Sequence, residues 1–103
     1  MAKDFWYLEL FETYESLLTA RQAEIFRGYY GLDLSLAEIA EENGTTRQSV
    51  SDALKKVRAE LDELEGKLGL LQKRKAILQV VGEMKNQPEA APYAQQIERI
   101  FGD

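Results

Sequence analysis

The amino-acid sequence predicts an all-α fold, and three observations point to it. The apolar residues recur at steps of three and four, which is the spacing of one face of a helix rather than of a strand. Capping-box patterns, in which Ser or Thr is followed three positions later by Glu or Gln, precede several of the periodic runs. The 103 residues are 45% hydrophobic and include only two prolines. Such a composition is typical of a helical protein with a modest core.

The first two predicted helices are amphipathic. The first, over about residues 4–18, has an apolar stripe made of Tyr7, Phe11, Tyr14 and Leu18, widened by Leu10 and Leu17. A capping box at Thr19 and Gln22 begins the second helix, which we expect to end near Gly31. Its predicted inner face consists of Ile25, Phe26, Tyr29 and Tyr30.

Residues 35–58 have the pattern of a helix-turn-helix. A capping box at Ser35 and Glu38 begins a short third helix. Gly44 can take the left-handed conformation that the turn requires, and a longer fourth helix follows from Thr46. An ordinary helical hairpin is the alternative interpretation.

The start and the core of the fourth helix can also be predicted. Thr45 with Gln48 offers a further capping box at its beginning. The apolar residues expected between the two helices of the motif and beneath the second are Ile39, Ala40, Val50, Leu54 and Val57.

The fourth helix carries a heptad pattern of apolar residues at alternating steps of four and three. This seam consists of Val50, Leu54, Val57, Leu61, Leu64, Leu68 and Leu71. Either the later helices of the chain or a second copy of the protein must cover it. Because glycine weakens a helix interior, Gly66 and Gly69 predict a break near Gly69.

We therefore expect two domains. The first is a helical domain over residues 1–68 that contains the helix-turn-helix, and the second is a C-terminal helical extension over residues 69–103 that packs on it or on a second subunit. The fifth helix has an apolar line of Leu71, Leu78, Val81 and Met84 that also includes Arg74, with Ile77 and Val80 beside it. The last helix has Tyr93, Ile97, Ile100 and Phe101 on one side.

The residue types argue against catalysis. The chain has no cysteine and no histidine, which removes disulfides, thiolate chemistry, the usual zinc ligands and the usual general base. It also has no glycine-rich phosphate loop and no nucleophile elbow. We expect a protein that is not an enzyme and that has no cofactor and no metal.

The sequence predicts a cytoplasmic protein. No run approaches the roughly 18 apolar residues that a membrane-spanning helix needs. The N-terminus "MAKDFWYLELFE" carries acidic residues where a signal peptide would need a basic end and an uncharged stretch.

The outer face of the fourth helix is the candidate nucleic-acid-binding site. If Val50 and Leu54 face inward, the 3.6-residue period turns another set of side chains outward. This set consists of Arg47, Gln48, Ser51, Asp52 and Lys55, with Lys56 and Arg58 on the flanks. Arg and Gln read base edges, and Lys and Arg contact phosphates. Asp52 interrupts this face, and a solvated face in which Asp52 pairs with Lys55 or Lys56 is the alternative.

The charges are divided along the chain. The formal net charge is −5, but residues 45–58 carry +3, whereas residues 1–44 carry −6. A second basic patch follows at Lys67, Lys73, Arg74 and Lys75. Because a duplex binder neutralises about six to ten phosphates, these patches predict a contribution to a larger assembly or to a dimer.

Several motifs resemble the YlxM family of small helix-turn-helix proteins. They are "SLLT" followed by Gln22, the pair Tyr29 and Tyr30, "SLAEIAEE" at residues 35–42, and "RQSVSDALKK" at residues 47–56. The resemblance covers about residues 10–71. The helix-turn-helix portion is also similar to the fourth region of bacterial sigma factors, which binds promoter DNA.

The resemblance implies a component or regulator of the signal recognition particle (SRP) pathway, which binds the SRP RNA or the SRP GTPase. The nucleic-acid face that it implies consists of Arg47, Gln48, Ser51, Lys55 and Lys56. Two other hypotheses stay open: a DNA-binding transcriptional regulator like sigma region 4, and an interaction protein whose helix-turn-helix only scaffolds a helical homodimer.

Overall fold

The structure is a computed structural model that describes residues 4–102. Its helices are α1 (Phe5–Tyr14), α2 (Ala20–Phe26), α3 (Leu36–Glu42), α4 (Arg47–Leu68), α5 (Leu70–Met84) and α6 (Ala91–Ile100). A 3₁₀ turn (Glu15–Leu17) follows α1, and a π-helical turn (Arg27–Gly31) follows α2. No strand occurs within residues 4–102, which confirms the all-α prediction.

The chain divides into two compact units, with the boundary between residues 69 and 70. The first unit contains α1 to α4, and the second contains α5 and α6. Gly69 ends α4 in the left-handed conformation (φ 61°), and its N–H donates to the Glu65 carbonyl at 2.8 Å. The predicted break near Gly69 is therefore confirmed, while Gly66 stays within α4.

Side-chain caps begin the helices of the first unit. Both predicted capping boxes before α2 and α3 are present: Thr19 and Gln22 exchange hydrogen bonds of 3.1 and 3.0 Å, and so do Ser35 and Glu38. Each box satisfies two backbone N–H groups that a helix start leaves unpaired.

The capping box predicted at Thr45 and Gln48 was wrong. The N-cap of α4 is Thr46, whose hydroxyl accepts from the Ser49 N–H at 3.0 Å. The Thr45 N–H instead donates to the Ala40 carbonyl at 2.9 Å. Thr45 thus belongs to the end of α3, so α4 begins one residue later than the pattern suggested.

The core of the first unit lies between α4 and the three helices before it. Its fully buried side chains are Leu10, Tyr14, Phe26, Ile39, Val50, Leu54, Val57 and Leu61. Phe26 stacks on Tyr30 with 4.4 Å between ring centroids. The prediction that Leu17 widens the stripe of α1 was wrong, since α1 ends at Tyr14 and Leu17 is 61% exposed.

The buried side of α4 departs from the heptad seam after Leu61. The next buried residue is Glu65, at 8% exposed, whereas Leu64 is half-buried and Leu68 is 43% exposed. An α-helix turns once per 3.6 residues, so a 3.5-residue pattern drifts around a straight helix. Within α4 the predicted seam is therefore buried only from Val50 to Leu61, and its last member, Leu71, is buried in α5.

The second unit consists of α5 packed on α6. Its buried hydrophobic residues are Leu71, Val81 and Ala94. Lys85 pairs with Glu98 at 2.5 Å and links the two helices. Two members of the face predicted for α6, Tyr93 and Ile100, are 63% and 82% exposed and so are not buried within this unit. Ile77 and Val80 of α5 are also exposed.

Candidate nucleic-acid interface

The helix-turn-helix predicted for residues 35–58 is present. Helices α3 and α4 contact each other along the motif. Gly44 lies in the turn between them with φ 62°, a conformation that glycine adopts without steric cost. Ala40 and Val50 are buried, at 5% and 0% exposed, as expected for the residues where the two helices meet.

The outer face of α4 exposes most of the predicted set. Arg47, Gln48, Lys55 and Lys56 are exposed, and Ser51 is half-buried. Within residues 4–102 Arg47, Lys55 and Lys56 make no ion pair. The N-terminal half of α4 thus presents three cations on the side opposite to Val50, Leu54 and Val57. We call this surface the α4 face.

Asp52 lies within the α4 face and accepts a hydrogen bond from Gln48. The distance from Gln48 Nε2 to Asp52 Oδ1 is 2.9 Å, and both side chains are exposed. In the described part of the chain Asp52 makes no ion pair with Lys55 or Lys56. This arrangement therefore differs from the alternative that the sequence left open, in which Asp52 pairs with Lys55 or Lys56.

A shallow depression adjoins the α4 face where α3 and α4 begin. Its volume is about 520 Å³, and its lining residues are Leu36, Thr46, Arg47, Gln48 and Ser51. Three of the predicted binding residues, Arg47, Gln48 and Ser51, thus line one concave surface. Charged, amide and hydroxyl groups there could form hydrogen bonds with a base or a phosphate.

Arg58 has a different environment from the rest of the set. It is half-buried, and its Nη1 donates to the Tyr30 hydroxyl at 3.0 Å. The Tyr30 ring in turn contacts the rings of Phe26 and Tyr7, with centroids 4.4 and 6.1 Å away. Arg58 therefore links α4 to an aromatic cluster, which consists of Tyr7, Phe26 and Tyr30. The sequence did not reveal this role, because the contact joins residues 28 positions apart.

The second predicted patch is divided between the two units. Lys67 lies at the end of α4 and pairs with Glu63 at 2.9 Å. Its hydrogen bond, and then its positive charge, lower the pKa of Glu63. Lys73, Arg74 and Lys75 lie in α5, where the Arg74 guanidinium is 5.6 Å from the Phe101 ring centroid. Lys67 and Arg74 thus make intramolecular contacts within their own units.

Residues 4–102 include neither a helix that could span a membrane nor a cluster of side chains that could hold a metal ion. None of the helices described there has the length and apolarity to cross a membrane. The same residues include no group of three or more metal-ligating side chains arranged around one point.

Comparisons with known proteins give a consistent picture. The family model described as "Putative helix-turn-helix protein, YlxM / p13 like" (UPF0122) matches residues 1–100. UPF0122 proteins of Bacillus thuringiensis (strain Al Hakam), Bacillus mycoides (strain KBAB4) and Bacillus cereus (strain 03BB102) are similar to this chain. Each is 47% identical over 76 residues, which is 74% of this chain and 69% of the relative.

Proposed function

The chain belongs to the YlxM/p13-like helix-turn-helix family, and from that premise we propose that it binds nucleic acid through the α4 face. The observation that carries the proposal is the set of three exposed cations, Arg47, Lys55 and Lys56, on the outer side of the second helix of the motif. In helix-turn-helix proteins this helix supplies the residues that contact base edges and phosphates.

The target that we favour is the RNA of the signal recognition particle, with the particle's GTPase as an additional contact. Three cations are a small footprint, since self-sufficient duplex binders neutralise about six to ten phosphates. A protein with this footprint gains affinity when a partner in the same assembly adds binding energy. The first three helices expose several acidic residues, among them Glu12, Glu24, Glu41 and Glu42, and these suit a basic protein surface.

The second candidate is a sequence-specific DNA-binding regulator. The depression that Arg47, Gln48 and Ser51 line favours it, because these residue types read base edges in the major groove. A homodimer through the heptad helix α4, our third candidate interaction, would use Leu64 and the end of that helix, because the seam from Val50 to Leu61 is buried in the first unit.

The experiment is a titration of the purified full chain against three probes: SRP RNA, random-sequence duplex DNA and the SRP GTPase. Each titration is run at two salt concentrations. The test variant is Arg47→Ala/Lys55→Ala. The matched control is Arg21→Ala/Arg99→Ala, which removes two exposed arginines outside the helix-turn-helix.

We expect salt-sensitive binding that is tightest for the RNA. The test variant should weaken it and reduce the slope of log K against log salt by about 1.5, because two phosphate contacts are lost. The control variant should behave like the wild type. Tight duplex binding with a base preference would move the assignment to DNA. Binding to neither nucleic acid would overturn the proposal.

A further inference from the structure

We propose that Gln48 reads an adenine base and that Asp52 is the positioning residue that orients its amide for this contact. The inference rests on the proposed function and specifies the chemistry of the same site. It begins from the 2.9 Å hydrogen bond between Gln48 Nε2 and Asp52 Oδ1 on the α4 face.

The hydrogen bond fixes which way the Gln48 amide points. An ionised carboxylate can only accept hydrogen bonds, so the amide nitrogen and not the amide oxygen must face Asp52. The two N–H groups of the amide are not equivalent, since one lies on the same side as Oε1. If that N–H faced Asp52, Oε1 would approach a negative oxygen. The other N–H therefore serves Asp52, and Oε1 is left beside a free N–H donor.

Among the base edges that face the major groove, this acceptor and donor pair complements only that of adenine. In the major groove, or on an unpaired base, adenine presents the N6 amino group as a donor next to N7 as an acceptor. Gln48 Oε1 would accept from N6 while its N–H donates to N7. Guanine presents two acceptors, O6 and N7, and would place its O6 against Oε1. The oriented amide thus favours adenine over guanine.

The surroundings of Gln48 leave room for a base edge. Gln48 and Arg47 line the depression of about 520 Å³, and Leu36 supplies an apolar side chain in the same wall. Ser51 is one turn further along α4 and lines the same surface.

Asp52 also changes the balance between affinity and specificity. Its negative charge lies among Arg47, Lys55 and Lys56 and repels a phosphate backbone. Removing that charge should tighten binding to any sequence, whereas removing the hydrogen-bond acceptor should loosen the choice of base. The two effects can be separated because Asn keeps an acceptor oxygen and loses the charge.

The experiment measures base preference with the full chain and two randomised pools. One pool consists of RNA hairpins with randomised loops, and the other of duplex DNA with a randomised central segment. Bound molecules are sequenced for the wild type and for Gln48→Ala, Asp52→Asn and Asp52→Ala. Glu83→Gln is the matched control, since it removes the same charge at an exposed position of α5. The two pools show whether the adenine is presented by RNA or by DNA.

We expect the wild type to enrich adenine at one position by about 5- to 100-fold over the other bases. Asp52→Asn should bind both pools more tightly and keep the enrichment. Asp52→Ala should also bind both pools more tightly but lose most of the adenine enrichment. Gln48→Ala should lose the adenine enrichment entirely. Replacing the selected adenine with 7-deazaadenine removes the N7 acceptor, so it should weaken the wild type and leave Gln48→Ala unchanged.

Three other outcomes would contradict the adenine contact, the role of Asp52 or the proposed function. Binding without adenine enrichment overturns this inference and leaves the proposed function intact. Enrichment that survives Asp52→Ala overturns the positioning role of Asp52. An absence of binding to both pools overturns the proposed function and this inference together.

Discussion

The hydroxyl of Tyr14 donates a hydrogen bond of 2.6 Å to Glu65 Oε1 in the interior of the first unit. Tyr14 is 1% exposed and Glu65 is 8% exposed. A buried carboxylate is costly unless hydrogen bonds satisfy it. This pair therefore lets a charged residue occupy the position where the apolar seam of α4 leaves the core.

We expect Tyr14→Phe to lower the free energy of unfolding by about 1.5–3 kcal/mol, the range for a hydrogen bond to a charged group. Urea denaturation followed by circular dichroism measures the change. Tyr93→Phe is the control, because Tyr93 is 63% exposed and should tolerate the loss of its hydroxyl. Equal losses in the two variants would contradict the role of the Tyr14 hydrogen bond.

Tyr7 and Asp62 make a second contact between α1 and α4, with 2.9 Å between the hydroxyl and Oδ2. The hydrogen bond to Asp62, and then partial burial, raise the pKa of Tyr7. A group whose pKa is raised on folding stabilises the protein below its unfolded pKa, about 10 for Tyr, and loses that contribution as the pH rises through the folded pKa.

We therefore expect the wild type to be more stable than Tyr7→Phe near pH 8, with the difference shrinking above about pH 10. Urea denaturation of both proteins across this range measures it. A second variant, Asp62→Asn, removes the negative charge and should bring the pKa of Tyr7 closer to its ordinary value. A difference that grows with pH would contradict the assignment.

At the scale of helices, the start of α4 offers a matched pair of threonines. Thr46 caps the helix with its side chain, whereas Thr45 uses its backbone N–H to end α3. We expect Thr46→Ala to cost about 0.5–2 kcal/mol of stability, because an N-cap hydrogen bond is lost. Thr45→Ala should change the stability much less. Thermal denaturation of the two variants compares them, and the reverse order would show that the cap lies at Thr45.

Most of the helices could be predicted from the sequence because their signals are local. The capping boxes at Thr19 and Ser35 and the left-handed glycines Gly44 and Gly69 each act within a few residues of the chain. The same rule placed the start of α4 one residue too early, because Gln48 follows Thr45 by three positions whereas the observed N-cap, Thr46, is followed at that spacing by Ser49. The deciding hydrogen bond, from Thr45 to Ala40, depends on how α3 ends.

The candidate site was predicted only as a set of exposed residues. The 3.6-residue period turns Arg47, Gln48 and Lys55 outward, which periodicity alone can show. It does not show that Asp52 accepts from Gln48, because Lys55 and Lys56 are also within helical reach of Asp52. The hydrogen bond from Arg58 to Tyr30 depends on the tertiary packing of α4 against the aromatic cluster, which periodicity does not show.

At the scale of the molecule, the two units differ in how much core they hold. Within residues 4–102, twelve buried hydrophobic residues lie in the first unit and three in the second. A pair of helices with so few buried side chains is below the size that usually folds alone. Our expectation that residues 69–103 pack on the first domain or on a second subunit stays a prediction.

A truncated chain tests this difference. We expect a fragment of residues 1–69 to unfold cooperatively in urea, because its core is contained within it. A peptide of residues 70–103 should show little helix by circular dichroism on its own. If the peptide of residues 70–103 were helical and the fragment of residues 1–69 unfolded, the claim that the first unit contains its own stable core would be wrong.

The oligomeric state is a second property of the whole molecule. Leu64 is half-buried and lines a groove of about 370 Å³ with Leu17, Glu60, Glu63 and Lys67. If a homodimer forms through α4, Leu64→Asp should convert it to a monomer that stays folded, as measured by light scattering. Leu61→Asp should instead unfold the first unit, since Leu61 is 0% exposed. A dimer mass that Leu64→Asp does not change would exclude this interface.

The π-helical turn at Arg27–Gly31 has a consequence for the descent of the family. Its wider hydrogen bond, from the Leu32 N–H to the Arg27 carbonyl at 2.9 Å, encloses one residue more than an α-helical turn does. Deleting that residue would restore a regular helix but rotate Tyr30 by about 100° away from Arg58. We therefore expect relatives to have either all three features, namely the extra residue, Tyr30 and Arg58, or none of them. A relative with a one-residue gap at this turn should have another residue in place of the arginine.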